Sequence, residues 1–143
     1  MSDALATLDA TAQAELVRTR AASPRELVDA AIARIERLDP QLGSVIHPAF
    51  DDARRVADAA ARGPFRGVPT LMKDIGGAEA GRPYCAGMRV LKEIGWREPE
   101  DAFFTSKLRA AGFVLLGRTN TPELALLPTT EPAAFGPTRN PWS

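Results

Sequence analysis

The sequence predicts an α/β chain: N-terminal helices followed by the first strands of a sheet that helices cover. Two observations carry this. Residues 1–62 hold apolar positions at helical spacing, and from Gly67 onward short apolar runs alternate with a helical segment. The 143 residues, 45% hydrophobic and 25% charged, fit one ordinary globular unit and argue against disorder.

The helices come first. Asp9 to Val17 is rich in helix formers, with Ala12 and Leu16 four apart. Ser23, Pro24 and Glu26 form a Ser-x-x-Glu capping box with proline at the first helical position. Leu27, Val28, Ala31, Ile32, Ile35 and Leu38 then fall on one stripe. Asp39-Pro40 is expected to end that helix, because a residue before proline disfavours the α region. A third helix is expected over Phe50–Ala61, burying Phe50, Ala53, Val56, Ala57 and Ala60, with Arg54, Arg55 and Arg62 solvated. Gly63-Pro64 stops it.

The strands follow. Val68 to Met72 reads as a strand, with Pro69 tolerable near its start. Asp74 to Pro83 is a glycine-rich loop, in which Gly76, Gly77 and Gly81 match neither a phosphate loop nor a dinucleotide fingerprint. Pro99 opens a predicted helix with Phe103, Phe104, Leu108 and Ala111 inward and Gly112 as its stop. Phe113 to Leu116, bounded by glycines, reads as a strand buried on both faces. Strand, helix, strand in this order suggests a parallel crossover. Thr121-Pro122-Glu123 can start a short helix. The tail to Ser143 is irregular, and its Phe135 and Trp142 need something to pack against.

Composition excludes several functions. Lys plus Arg equals Asp plus Glu at 18 each, which leaves no electrostatic footprint for nucleic acid or an anionic membrane. No apolar run approaches a membrane span, and the N-terminus lacks the pattern of a signal peptide, so a cytoplasmic protein is expected. One cysteine, Cys85, cannot form an internal disulfide, and with one histidine, His47, it cannot make a Cys/His zinc cage. No metal and no cofactor are expected.

Few residues can carry chemistry. Lys73 follows Leu71 and Met72 at a strand end, on the Leu71 face by strict alternation. A lysine in an apolar setting loses hydration of its charged form and can serve as a base; the alternative is a Lys73-Asp74 pair pointing to water. His47 reads as incidental and Cys85 as a quiet buried thiol, since neither sits in a nucleophile motif. Thr129, Thr130 and Thr138 could donate to a ligand or, more simply, to turns.

Read together, the fragments resemble the amidase signature family. Gly67-Val68-Pro69-Thr70-Leu71-Met72-Lys73-Asp74 is similar to its Gly-Val-Pro-x-x-x-Lys-Asp segment. Leu108 to Gly112 and Leu116-Gly117-Arg118-Thr119-Asn120 are similar to its Leu-Gly-Lys-Thr-Asn signature. Arg34-Ile35-Glu36 through Asp39-Pro40 resembles the family opening. Thr130-Glu131, Phe135-Gly136, Thr138 and Asn140-Pro141-Trp142 follow in family order. The resemblance runs from about Leu8 to Trp142. Within the family, Thr119 to Glu123, Thr129 to Pro132 and Thr138 to Trp142 look most like the 6-aminohexanoate cyclic-dimer hydrolases.

The resemblance implies metal-free amide hydrolysis by a Ser-Ser-Lys triad on a mixed sheet between helix layers, with Lys73 as catalytic base. It also implies that the Gly/Ser-rich stretch bearing both serines and the oxyanion-hole amides lies just beyond Asn140-Pro141-Trp142. None of Ser2, Ser23, Ser44, Ser106 or Ser143 sits in that motif. At Gly87-Met88 the chain also departs from the Gly-Ser of many members. The expectation is thus an N-terminal portion of an amidase domain, truncated or split, with a sheet incomplete at its C-terminal end (1–62 helical, 63–143 the start of the α/β core). It is expected to be inactive alone. Expected partners are a small-molecule amide and either a chain carrying the serines or another copy of this one. The alternative is a noncatalytic module, built on the same scaffold, that binds a small amide or a protein.

Overall fold

The computed structural model describes residues 2–59 and 62–142. Among these described residues six helices, α1 (Ser2–Ala6), α2 (Ala10–Arg18), α3 (Pro24–Leu42), α4 (Phe50–Asp58), α5 (Arg89–Glu93) and α6 (Phe103–Ala111), accompany three strands, β1 (Val45–Pro48), β2 (Pro69–Lys73) and β3 (Val114–Thr119). The sheet order is β1-β3-β2, with β2 parallel and β1 antiparallel to β3, so the sheet is mixed. The crossover from β2 to β3 is the predicted parallel one. A 3₁₀ turn at Glu123–Ala125 takes the place of the expected short helix after Thr121.

The capping box forms as predicted. The Ser23 hydroxyl accepts the Glu26 N–H, and the Glu26 carboxylate accepts the Ser23 N–H. The end of α3 is different from expectation, because the helix runs through Pro40 to Leu42. Two features complete that last turn. Gly43, at φ +63°, donates its N–H to the Asp39 carbonyl, and the Asp39 carboxylate accepts the N–H groups of Ser44 and Val45. Proline therefore costs one bond near a helix end that is otherwise well satisfied.

Helices α3 and α4 cover one face of the sheet. Val28, Ala31 and Ile32 of α3 meet Ala53 and Ala57 of α4 over Val114 and Leu116 of β3. Val56, predicted inward, is instead exposed, since α4 buries only its Ala53/Ala57 stripe. Ala60 and Ala61, the end of the predicted third helix, lie outside the described residues. Arg54 and Arg55 lie on the outer side, paired with Asp29 and Asp52, and Arg62 is exposed as expected.

Three further expectations fail. Residues 1–62 are not wholly helical, because β1 lies among them and pairs with a strand some seventy residues later. The short helix α5 has no counterpart in the elements read from the sequence. Helix α6 begins at Phe103 rather than Pro99, and Phe103 and Phe104 are 77% and 58% exposed. The face of α6 is set by its N-terminal tethers. Ala102 donates its N–H to the Ala78 carbonyl, and the Asp101 carboxylate holds both the Ala80 N–H and Arg109. These turn Thr105 inward in place of the two phenylalanines, while Leu108 is half-buried on the predicted side. Of the two tail aromatics expected to need a packing partner, Trp142 is 91% exposed, while Phe135 is half-buried with its ring 5.2 Å from that of His47.

Strand β3 also runs past its predicted end, through Gly117 and Arg118 to Thr119. Its register against β2 shifts between Leu115 and Arg118, where three steps of β3 oppose two of β2. One inserted residue reverses the alternation, so Arg118 leaves the face shared by Val114 and Leu116. Gly117 makes this possible with φ +146° and a close approach to β1: a Cβ there would sit 2.5 Å from the His47 carbonyl oxygen. Gly117→Val should therefore cost roughly 3 kcal/mol or more, adding backbone overlap to about 1–3 kcal/mol of strain. A urea midpoint within error of the parent's would refute this account of the bulge.

Candidate functional site

The polar site gathers at the end of β2 and around Arg118 of β3, which the bulge turns away from the face covered by α3 and α4. Lys73 is the last residue of β2 and pairs with Thr119 of β3. Its side chain is exposed, not enclosed as an apolar setting would require, because β2 ends there and the chain turns away. Among the described residues its ammonium has no hydrogen-bond or ion-pair partner. It borders an open hollow of about 390 Å³ whose other walls include Leu71, Ile75, Phe104, Leu108 and Phe113. The polar alternative is met only by half: Lys73 faces outward, while Asp74 is completely buried.

The main chain at Lys73 is held from behind by Arg118, a residue to which sequence reading assigned no role. Arg118 is 1% exposed. Its Nη2 donates to the Lys73 carbonyl at 2.9 Å, its Nη1 to the Gly77 carbonyl at 2.6 Å, and its Nε to Asp74 Oδ1 at 3.3 Å. A second carboxylate, Glu79, reaches Nη1 at 3.4 Å and also pairs with Arg109. Burial pushes the Glu79 carboxyl above its usual range despite both arginines. The Tyr84 ring lies 5.1 Å from the Arg118 guanidinium carbon. The buried arginine thus satisfies two carbonyls and two carboxylates, the condition under which a buried charge is tolerated.

Asp74 extends the clamp to the segment before α5. Its carboxylate accepts the N–H groups of Cys85 (3.1 Å) and Gly87 (3.2 Å), and its carbonyl accepts that of Ala86. Cys85 is buried, as expected of a quiet thiol. His47 is half-buried on β1, with Nε2 3.7 Å from Cys85 Sγ. Burial lowers the imidazole below its usual range and raises the thiol, with Asp74 adding to the latter. The fold therefore gathers His47, Asp74 and Cys85, which the sequence places on separate segments. A count of cysteines and histidines alone does not reveal this grouping.

The remaining candidates are structural. Thr138 donates its hydroxyl to the Gly43 carbonyl and accepts from the Asn120 amide, tying the tail to the end of α3. Thr130 accepts the Thr138 N–H through its carbonyl. Ser23 caps α3, Ser44 donates to Asp39, and Ser106 donates to the Phe103 carbonyl. Each of these serines serves a cap or a turn, and Ser143 lies outside the described residues. No helix among the described residues is long and apolar enough to cross a membrane.

Comparison with known proteins shows the family and the fold. The sequence profile of the family described as Amidase matches residues 26–143. A 6-aminohexanoate-cyclic-dimer hydrolase of Paenarthrobacter ureafaciens is 50% identical over 135 residues, covering 94% of this chain and 27% of the relative. The solved structure of a 6-aminohexanoate cyclic dimer hydrolase superposes with a TM-score of 0.90 at 49% identity, over 95% of this chain and 28% of that one. The crystal structure of a bacterial aryl acylamidase of the amidase signature family superposes with a TM-score of 0.86 at 37% identity, over 95% and 30%. The chain thus spans little more than a quarter of the length of these relatives. With the profile covering most of the sequence and the mixed sheet matching in space, this chain belongs to the amidase family.

Proposed function

We propose that residues 1–143 are the lysine-bearing portion of an amide-bond hydrolase of the Ser-Ser-Lys type, with Lys73 as its base. The observation that supports this most is the division of labour at the end of β2. The Lys73 main chain is clamped by Arg118, while its amine stands unpartnered at the rim of an apolar hollow. A base must be fixed in position yet free to exchange a proton. In the proposed reaction, neutral Lys73 takes a proton from a bridging serine hydroxyl. That serine takes one from the nucleophilic serine, whose oxygen attacks the amide carbonyl carbon. The C–N bond then breaks, the amine leaves with a returned proton, and water hydrolyses the acyl-enzyme.

The substrate class is a small amide, linear or cyclic, in a cytoplasmic setting. The cyclic alternative draws on the cyclic-dimer hydrolase that is 50% identical to this chain. Both serines are expected from residues other than these 143, either in the same polypeptide or in a partner chain. Residues 1–143 alone are therefore expected to show no amide hydrolysis, because nucleophile and oxyanion hole are both missing. Intact-mass analysis of the protein from its native source should find the Gly/Ser-rich segment in the same or a co-purifying chain. Serine-dependent turnover by the isolated 143 residues, abolished by Lys73→Ala, would overturn the proposal.

A second reading, a noncatalytic binding module, is favoured by one observation: Phe103, Phe104, Leu126, Leu127 and Trp142 are all exposed. Stabilisation by a small amide without turnover, in a sample shown to lack the serine segment, would support it over hydrolysis.

A further inference from the structure

The geometry points to a metal site at His47, Cys85 and Asp74 that binds a borderline-soft divalent ion of the zinc class. The three side chains come from β1, the segment before α5 and the end of β2, and their ligand atoms lie within 4.8 Å of one another. The His47–Cys85 separation of 3.7 Å is the key distance. With zinc–sulfur and zinc–nitrogen bonds of about 2.3 and 2.0–2.1 Å, a tetrahedral ion holds its sulfur and nitrogen ligands about 3.6 Å apart. The pair is therefore already spaced for an ion between them. Bringing in the carboxylate leaves roughly an ångström for side chains to close.

The third ligand has capacity to spare. Asp74 Oδ1 is taken by Arg118 and the Cys85 N–H, but Oδ2 accepts only the Gly87 N–H. A carboxylate oxygen has two lone-pair directions, so Oδ2 can accept an ion while Oδ1 keeps Arg118. Thiolate with imidazole selects zinc-like ions over magnesium or calcium, whose preferred ligands are oxygens. Of the three ligands, His47 lines a cleft of about 260 Å³. Arg118, Arg82 and Arg97 also line it, and their charge makes the site weaker than a dedicated structural zinc site. Three protein ligands leave the fourth position open.

This site is separate from the proposed role of Lys73, whose ammonium is not among the ligands. A bound ion would tie β1 to the segment before α5 and so raise the melting temperature. The test uses the intact protein that contains this sequence, with Co²⁺ as spectroscopic probe and Zn²⁺ as competitor. One equivalent of Co²⁺ should give tetrahedral visible bands together with a thiolate-to-cobalt charge-transfer band, both lost on adding Zn²⁺. Cys85→Ala should abolish the charge-transfer band. His47→Gln should weaken Co²⁺ binding by at least the about 10–100-fold that follows loss of an outer-shell partner. If Cys85→Ala does not fold, the wild-type spectrum and His47→Gln decide alone. No charge-transfer band in the wild type, or unchanged affinity in His47→Gln, would overturn the proposal. Neither result bears on amide hydrolysis, which the Lys73 variants test.

Discussion

Replacing Arg118 with methionine should destabilise the protein by about 3–5 kcal/mol, the usual result of removing one partner of a buried ion pair. Methionine roughly matches the arginine stem and keeps the packing, so the loss isolates the guanidinium. Asp74 is completely buried and Glu79 is 4% exposed. Without Arg118, Asp74 keeps only the N–H groups of Cys85 and Gly87, and the Lys73 and Gly77 carbonyls lose their donor. Each unsatisfied buried group adds a desolvation penalty of about 1–3 kcal/mol. At about 2–4 °C per kcal/mol for a chain of this size, the melting temperature should fall by roughly 10 °C. Adding Asp74→Asn to Arg118→Met should recover part of that loss, because it removes the stranded charge. Strict additivity of the two substitutions, or a fall below about 2 °C for Arg118→Met, would show that the pair does not hold this region.

The second large effect concerns turnover. In the serine-bearing enzyme, Lys73→Ala should lower kcat by about 10²–10⁴-fold, the usual contribution of a positioned base. KM should change little, since a proton acceptor acts in the transition state more than in substrate binding. Stability should barely move, because Lys73 is exposed and its amine has no partner among the described residues. Lys73→Arg is the sharper variant. A guanidinium keeps the charge and reach of lysine but does not deprotonate in proteins. It should therefore be about as inactive as Lys73→Ala. An arginine variant retaining more than roughly a tenth of wild-type kcat would assign Lys73 an electrostatic or packing role instead.

Local chemistry made much of the fold legible. Ser23, Pro24 and Glu26 announce the start of α3 through contacts within four residues. The stripe from Leu27 to Ile32 names its buried face for the same reason. The apolar run before Gly117 marks the central strand, because only a strand buried on both faces dispenses with alternation. Errors arose where a partner distant in sequence decided the outcome. Phe103 and Phe104 look like core residues, but tethers at Ala102 and Asp101 rotate α6 so that both face outward. Val45 to Pro48 carries too few residues to declare a strand, and becomes one only because β3 offers its edge. Pro40 would stop a helix that lacked the Asp39 and Gly43 contacts closing its last turn.

The site divides along the same line. Lys73 and its neighbours form a contiguous motif, so the sequence by itself determined the family resemblance, the candidate base and the strand–helix–strand order from β2 to β3. Arg118 was visible as a letter in Leu116-Gly117-Arg118-Thr119-Asn120, but its task was not. That task depends on the bulge at Gly117, which turns the side chain away from the α3 and α4 face and toward Asp74, forty-four residues earlier. The meeting of His47, Asp74 and Cys85 has the same origin, with thirty-eight residues separating the imidazole from the thiol. Short-range order follows from propensity, capping and periodicity, which act within a few residues. Which buried charges meet is decided only when strands pair, because register sets the face on which each side chain emerges.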